Sequence, residues 1–121
     1  MPIFQLSNEI VFPHPELAED GWLAIGGDLQ PERLLLAYSS GIFPWPESED
    51  APIYWASPDP RTILQLEKYH PSKRLLRTIR QNTFTVTFDS HIDEVIQHCA
   101  KLPRPGQAGT WITTAMQKAY V

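Results

Sequence analysis

Proline and glycine punctuate this chain so closely that only short elements fit between them. Twelve prolines and six glycines are spread over 121 residues. The first thirty residues alone are broken by Pro2, Pro13, Pro15 and the Gly26-Gly27 pair. Proline locks φ and has no N–H to donate, so it is accepted at a helix start, a turn or an edge rather than inside an element. One bracket stands out. Residues 41–46 read GIFPWP, so Trp45 lies between two prolines that hold the backbone extended on either side of the indole. Here the sequence predicts a stiff loop carrying one large flat ring.

Between the breaks, short helices and strands alternate. GWLAI at 21–25 reads as a short buried strand or turn. GGDLQPERLLLAYSSG reads as a helix: Asp28 is placed to cap it, Pro31 suits its first turn, and Gly41 suits its end. Leu34, Leu35 and Tyr38 are expected to share its packed face. PIYWA at 52–56 and RTILQL at 61–66 read as strands around the SPDP turn. HPSKRLLRTIRQ, 70–81, reads as a helix opened by Pro71, and TFTVTFD, 83–89, alternates like a strand. SHIDEVIQHCAK, 90–101, is a further expected helix, with Ile92, Val95, Ile96 and Cys99 on its apolar face and Cys99 in the core. LPRPGQAG, 102–109, is an expected loop, and TTAMQKAY begins another helix. Trp22 and Trp55 sit in apolar runs and are expected in the core.

The totals exclude some classes. A single cysteine, Cys99, rules out an internal disulfide and fits a reducing cytoplasm. No stretch approaches the roughly 20 apolar residues of a membrane span. MPIFQLSNEI has neither a basic n-region nor an apolar h-region, so no signal peptide is expected. The net charge of −4 conceals a division. Residues 1–60 carry ten carboxylates against one base, Arg33, a balance of −9; residues 61–121 carry four against nine, a balance of +5. A polyanion would be repelled by the first half and drawn to the second.

The candidate chemistry lies in two places. Lys73, Arg77 and Arg80 recur at i, i+4 and i+7 with Arg74 beside them, a basic stripe that suits phosphate or simply water. Trp45 and Trp111 each follow a Pro/Gly-rich loop, GIFPWP and RPGQAGTWIT. Loop-borne indoles make platforms for a nucleobase, although a loop indole also plugs its own core. Other patterns are weaker. His91, Glu94 and His98 share a helix face of metal-ligand spacing, but that face is expected to be solvated, and no metal site is expected. Gly26-Gly27-Asp28 lacks the lysine and hydroxyl of a phosphate loop and the glycine spacing of a dinucleotide fingerprint.

FPHPELAEDGWLAIGGDLQPERLLLAYSSGIFPWP, then PIYWASPDPR, then RPGQAGTWIT, resemble the leucyl/phenylalanyl-tRNA–protein transferases of bacteria in order and spacing. The resemblance covers most of residues 3–120 and implies an α+β fold. It implies a small N-terminal α+β domain over residues 1–64, with 65–121 opening a GNAT-like α/β domain left incomplete at Val121. Family members move Leu or Phe from a charged tRNA to an N-terminal Lys or Arg, marking that protein for degradation by the N-end rule pathway. By the likeness, Trp45 and Trp111 receive the 3′-terminal adenosine, while Lys73, Arg77, Arg80 and Arg74 face the tRNA backbone. Gln81 and Ala56 depart from the family pattern, where a further base and a second tryptophan are common.

The family's catalytic residues are expected beyond Val121, so none is assigned here, and the 121-residue chain is expected to be inactive alone. The resemblance further implies a cytoplasmic protein without cofactor, metal or membrane partner, monomeric at full length. Two other classes remain open from the residues: a non-catalytic RNA- or nucleotide-binding module, and an aromatic groove for proline-rich peptides.

Overall fold

The computed structural model describes residues 3–107 and 109–121. The expected break at Pro2 and the Ala108 position of the 102–109 loop lie outside the described residues. Contacts group Met1–Asp59 with Ile92–Val121 in one compact unit, and Pro60–His91 form another. Helices and a mixed sheet make the fold α+β.

In the first unit, four strands form a sheet in the order β1-β2-β4-β3. They are β1 (Phe4–Leu6), β2 (Trp22–Gly26), β3 (Phe43–Pro46) and β4 (Ile53–Ala56). β1 runs parallel to β2, while β2–β4 and β4–β3 are antiparallel. The apolar runs expected at 21–25 and 52–56 are thus the two central strands. Their shared core is Leu23, Ala24 and Trp55, all fully buried. The Trp55 indole N–H donates to the Gly26 carbonyl at 2.8 Å, and its ring meets Phe12 edge-on at 4.8 Å. A buried indole needs such an acceptor, since an unpaired donor out of water is costly. Trp22, expected beside it in the core, is only half-buried, because it lines an open surface groove with Phe43 and Trp45; its ring meets Tyr54 edge-on.

GIFPWP is not a loop. Residues 43–46 form edge strand β3, paired Pro44 to Trp55 and Trp45 to Tyr54. An edge strand needs donors toward only one neighbour, which is where proline is tolerated. The two-residue alternation then sorts the side chains. Pro44 and Pro46 are buried, whereas Trp45 is 41% exposed.

The first helix, α1 (Pro31–Ser39), starts and stops for reasons only partly legible in its residues. Pro31 occupies the first turn as expected, but the capping position belongs to Gln30, which makes no side-chain cap. Asp28 instead accepts from the Gln30 N–H and from the Arg33 side chain. At the other end, Gly41 adopts φ +73°, its N–H reaches the Tyr38 carbonyl, and Ile42 N–H reaches Ala37 at 2.8 Å. This pair of bonds is a Schellman closure, and it needs a left-handed residue that glycine supplies without strain. The packed face is Arg33, Leu34 and Ala37. Leu35 and Tyr38, expected on that face, are 72% and 52% exposed. The helix is rotated so that Arg33 points inward to the Ser7 carbonyl and Asp28.

Two more helices belong to this unit: α3 (Ile92–Lys101) and α4 (Thr114–Ala119), which contact one another. Thr113 caps α4 by accepting from Met116 N–H, and Met116 is buried. The apolar stripe of α3 is largely uncovered. Val95 is exposed, Ile96 half-buried, and Cys99, expected in the core, is exposed.

The second unit holds α2 (Lys73–Arg80), capped by the Ser72 hydroxyl on Leu75 N–H, with Pro71 one residue before the cap. Its expected packed face, Leu75, Leu76 and Ile79, stays exposed or half-exposed. The strands expected at 61–66 and 83–89 do not form. A single 3-10 turn covers Leu66–Lys68, and no residue of 83–89 pairs with any strand among the described residues. Phe84, Val86 and Phe88 are exposed. Alternation supplies faces, not partners, and a strand exists only where a neighbour accepts its hydrogen bonds.

Candidate nucleic-acid interface

Trp45 and Trp111 meet. Their ring centroids lie 5.4 Å apart with planes only 8° from parallel, an offset stack of one indole on the other. Trp45 comes from β3, where the buried prolines on either side fix its direction. Phe43, two residues earlier on the same face, closes on its edge at 6.5 Å. Trp111 comes from the loop leading into α4. That segment is stiffened by Thr113 N–H on the Trp111 carbonyl at 3.0 Å and by the Thr110 hydroxyl on Ile112 N–H at 3.1 Å. The indoles therefore sit in one compact unit, 66 residues apart in sequence.

The rings touch, so no base fits between them in this conformation. Around them opens a cleft of about 820 Å³, lined by Trp45, Glu47, Glu49, Arg104, Thr110 and Trp111 among others. Its wall combines flat apolar faces with a few polar groups, the usual makeup of a small-ligand site. Arg104 brings the cleft a positive charge otherwise absent from this acidic neighbourhood. Arg104 stands in the sequence as the first residue of RPGQAGTWIT, with no role of its own assigned by that motif, and the acidic segment Glu47–Asp50 is marked only by following GIFPWP.

Glu49, among the lining residues, is bonded to the start of α4. One of its carboxylate oxygens, Oε1, accepts from Thr114 N–H at 2.7 Å and from the Thr114 hydroxyl at 3.1 Å. Elsewhere in the unit, Arg33 is fully buried and ion-paired to Asp28 at 3.2 Å. The Arg33 hydrogen bond holds the Asp28 carboxyl below its ordinary range. Tyr38 and Tyr120 share a hydroxyl–hydroxyl bond, and burial pushes the Tyr120 phenol well above its usual value.

The basic stripe lies in the second unit. Lys73, Arg74, Arg77 and Arg80 are all exposed on α2, and no carboxylate lies in ion-pair range of them among the described residues. A bare stripe of this kind can meet phosphate without first breaking a salt bridge. The structure thus brings the two tryptophans together, while the four bases form a separate group in the other unit. His91, Glu94 and His98 belong to no cluster of metal-ligand side chains among the described residues. No helix among the described residues is long and apolar enough to cross a membrane.

Comparison with known proteins completes the picture. Residues 63–121 match the family model described as leucyl/phenylalanyl-tRNA protein transferase, and residues 27–59 match the model of that family's N-terminal domain. The chain is 55% identical over its whole length to the leucyl/phenylalanyl-tRNA–protein transferase of Anaeromyxobacter sp. (strain Fw109-5), covering 52% of that protein. It is 55% identical to that of Maridesulfovibrio salexigens, covering 50%, and 51% identical to that of Myxococcus xanthus, covering 53%. The chain spans about half the length of these curated relatives. With two models of one family matched in order along it, the chain belongs to the leucyl/phenylalanyl-tRNA–protein transferase family.

Proposed function

We propose that this chain supplies the aminoacyl-tRNA-binding part of a cytoplasmic, cofactor-free enzyme that transfers Leu or Phe from charged tRNA to proteins beginning with Lys or Arg. The reaction is aminolysis: the protein's α-amine attacks the aminoacyl ester carbonyl, a peptide bond forms, and the ribose oxygen of the terminal adenosine leaves. Such a step needs the ester and amine held together and the developing oxyanion stabilised. Products of this transfer would be marked for N-end rule degradation. Residues 1–64 would form the N-terminal domain, and 65–121 would open the GNAT-like one.

The observation that carries this reading is the stacked Trp45–Trp111 pair at the cleft. Its outer face is a ready surface for adenine, and stacking contributes about 1–3 kcal/mol per base. Lys73, Arg74, Arg77 and Arg80 would meet tRNA phosphates. No residue of this chain is assigned to the chemistry, and the 121-residue chain alone is expected to bind without transferring.

Tryptophan fluorescence of the chain, titrated with an RNA hairpin ending in CCA and with the same hairpin lacking its last A, tests the reading. Tighter binding and stronger quenching by the CCA form are expected. Equal behaviour of the two hairpins would sink it. A parallel assay of label transfer from Leu-tRNA to an Arg-ended peptide separates enzyme from binding module: turnover by the 121 residues would overturn the expected inactivity.

A further inference from the structure

We infer that Glu49 is a positioning residue for the tryptophan platform, an inference that rests on the reading of that platform as the adenosine site. Trp45 and Glu49 lie four residues apart, and Trp111 and Thr114 lie three apart. At one end of this pair of segments the indoles stack. At the other, one Glu49 oxygen accepts both the backbone N–H and the hydroxyl of Thr114. The two contacts close a ring of chain around the cleft. Within that ring Trp45 is fixed by its strand and Trp111 by the turn into α4, whose Thr113 cap and buried Met116 anchor the helix.

The Glu49 bonds tie the segment carrying Trp111 to the chain just after β3, in addition to the ring contact and the anchoring of α4. A carboxylate accepting two donors is stronger than neutral hydrogen bonds, and its two bonds to one residue also fix direction. Glu49 does not need to touch the ligand to act. It sets how the second indole lies on the first, and so whether a flat platform is present before a base arrives. Such pre-ordering removes an ordering cost from binding.

Simple electrostatics makes the opposite prediction. Glu49 is an exposed carboxylate beside a site proposed for a polyanion, so removing its charge should strengthen RNA binding. The two views separate in a three-protein comparison of the wild-type chain, Glu49→Ala and Glu49→Gln. The readouts are the exciton circular-dichroism couplet of the stacked indoles and the affinity for the CCA-ended hairpin. Glu49→Ala should lose most of the couplet and bind about three- to tenfold more weakly, the range one lost hydrogen bond spans. Glu49→Gln keeps an acceptor oxygen without the charge, so it should restore the couplet and bind at least as tightly as wild type.

A couplet retained in Glu49→Ala, or affinity unchanged or raised in that variant, would overturn the inference. So would Glu49→Gln behaving like Glu49→Ala. Loss of affinity with the couplet intact would make Glu49 a ligand contact instead. The couplet is read without RNA, so it reports on Glu49 even if the wild-type chain ignores the CCA end, a failure that would belong to the adenosine reading.

Discussion

Two short stretches behave against their composition. TFTVTF, residues 83–88, has the alternation and β-branched content of a strand, yet pairs with nothing among the described residues. FPWP, residues 43–46, holds two prolines in four residues and is a strand. Propensity ranks them one way and the structure the other. β-propensity measures how well side chains fit a pleated, half-buried surface, so it has no value until such a surface is offered. β4 offers one to FPWP, and Pro44 and Pro46 fill the core beneath it. The same contrast holds between the two compact units: one is organised around Trp55, while the other leaves its apolar side chains largely exposed.

The sharpest test of this contrast is stability. Trp55→Ala removes a fully buried ring and its bond to Gly26, and should cost about 3–5 kcal/mol. Phe88→Ala, at a side chain 85% exposed, should stay within about 0.5 kcal/mol. Urea unfolding of both variants measures the difference, and comparable losses would mean that 83–88 is packed in solution. The same exposed stretch is an association hazard. Phe84→Lys with Phe88→Lys should therefore reduce self-association of the chain in sedimentation without lowering its stability.

Binding should divide along the same line. Trp45→Ala and Trp111→Ala should each cost about 1–3 kcal/mol in affinity for the CCA-ended hairpin, and Trp45→Phe less. Because the rings touch, the double variant should lose less than the sum of the two. These losses should depend little on salt. Arg77→Ala, in the other unit, should weaken binding of any RNA sequence and make the log–log salt slope shallower by about one unit or less. A salt-dependent tryptophan effect, or an unchanged slope in Arg77→Ala, would erase the distinction between a stacking unit and a phosphate-binding one.

The smallest expected effect concerns acid. The Arg33 hydrogen bond lowers the Asp28 pKa from its ordinary 3.8, so in the folded state this carboxylate holds its charge to lower pH than in the unfolded chain. Its contribution is present above that value and is lost as pH falls through the lower, folded value. The Asp28 side chain is 40% exposed and screened by water, so the contribution is modest. Asp28→Asn should flatten the stability of the first unit between the ordinary aspartate range and more acidic solution. Identical acid unfolding profiles would show that the pair with Arg33 adds nothing.

By itself, the sequence determined where several of the elements begin and end. Pro31 and Gly41 bound α1, apolar runs made β2 and β4, and Thr113 and Ser72 cap the helices that follow them. These are local matters of φ, missing donors and nearby acceptors, and they are legible in neighbouring residues. The family, too, was legible, because its tryptophans, prolines and glycines stand in order along the chain. Only the tertiary structure decided which faces are covered. It turned α1 so that Arg33 points inward and Leu35 outward, because an ion pair with Asp28 and a bond to the Ser7 carbonyl were available there. It left Cys99 in water, because little packs on that side of α3. It made GIFPWP an edge strand and laid Trp111 on Trp45, with Glu49 bonded to Thr114. Each of these depends on groups far apart in sequence, whose meeting is set by packing rather than by any residue's own preference.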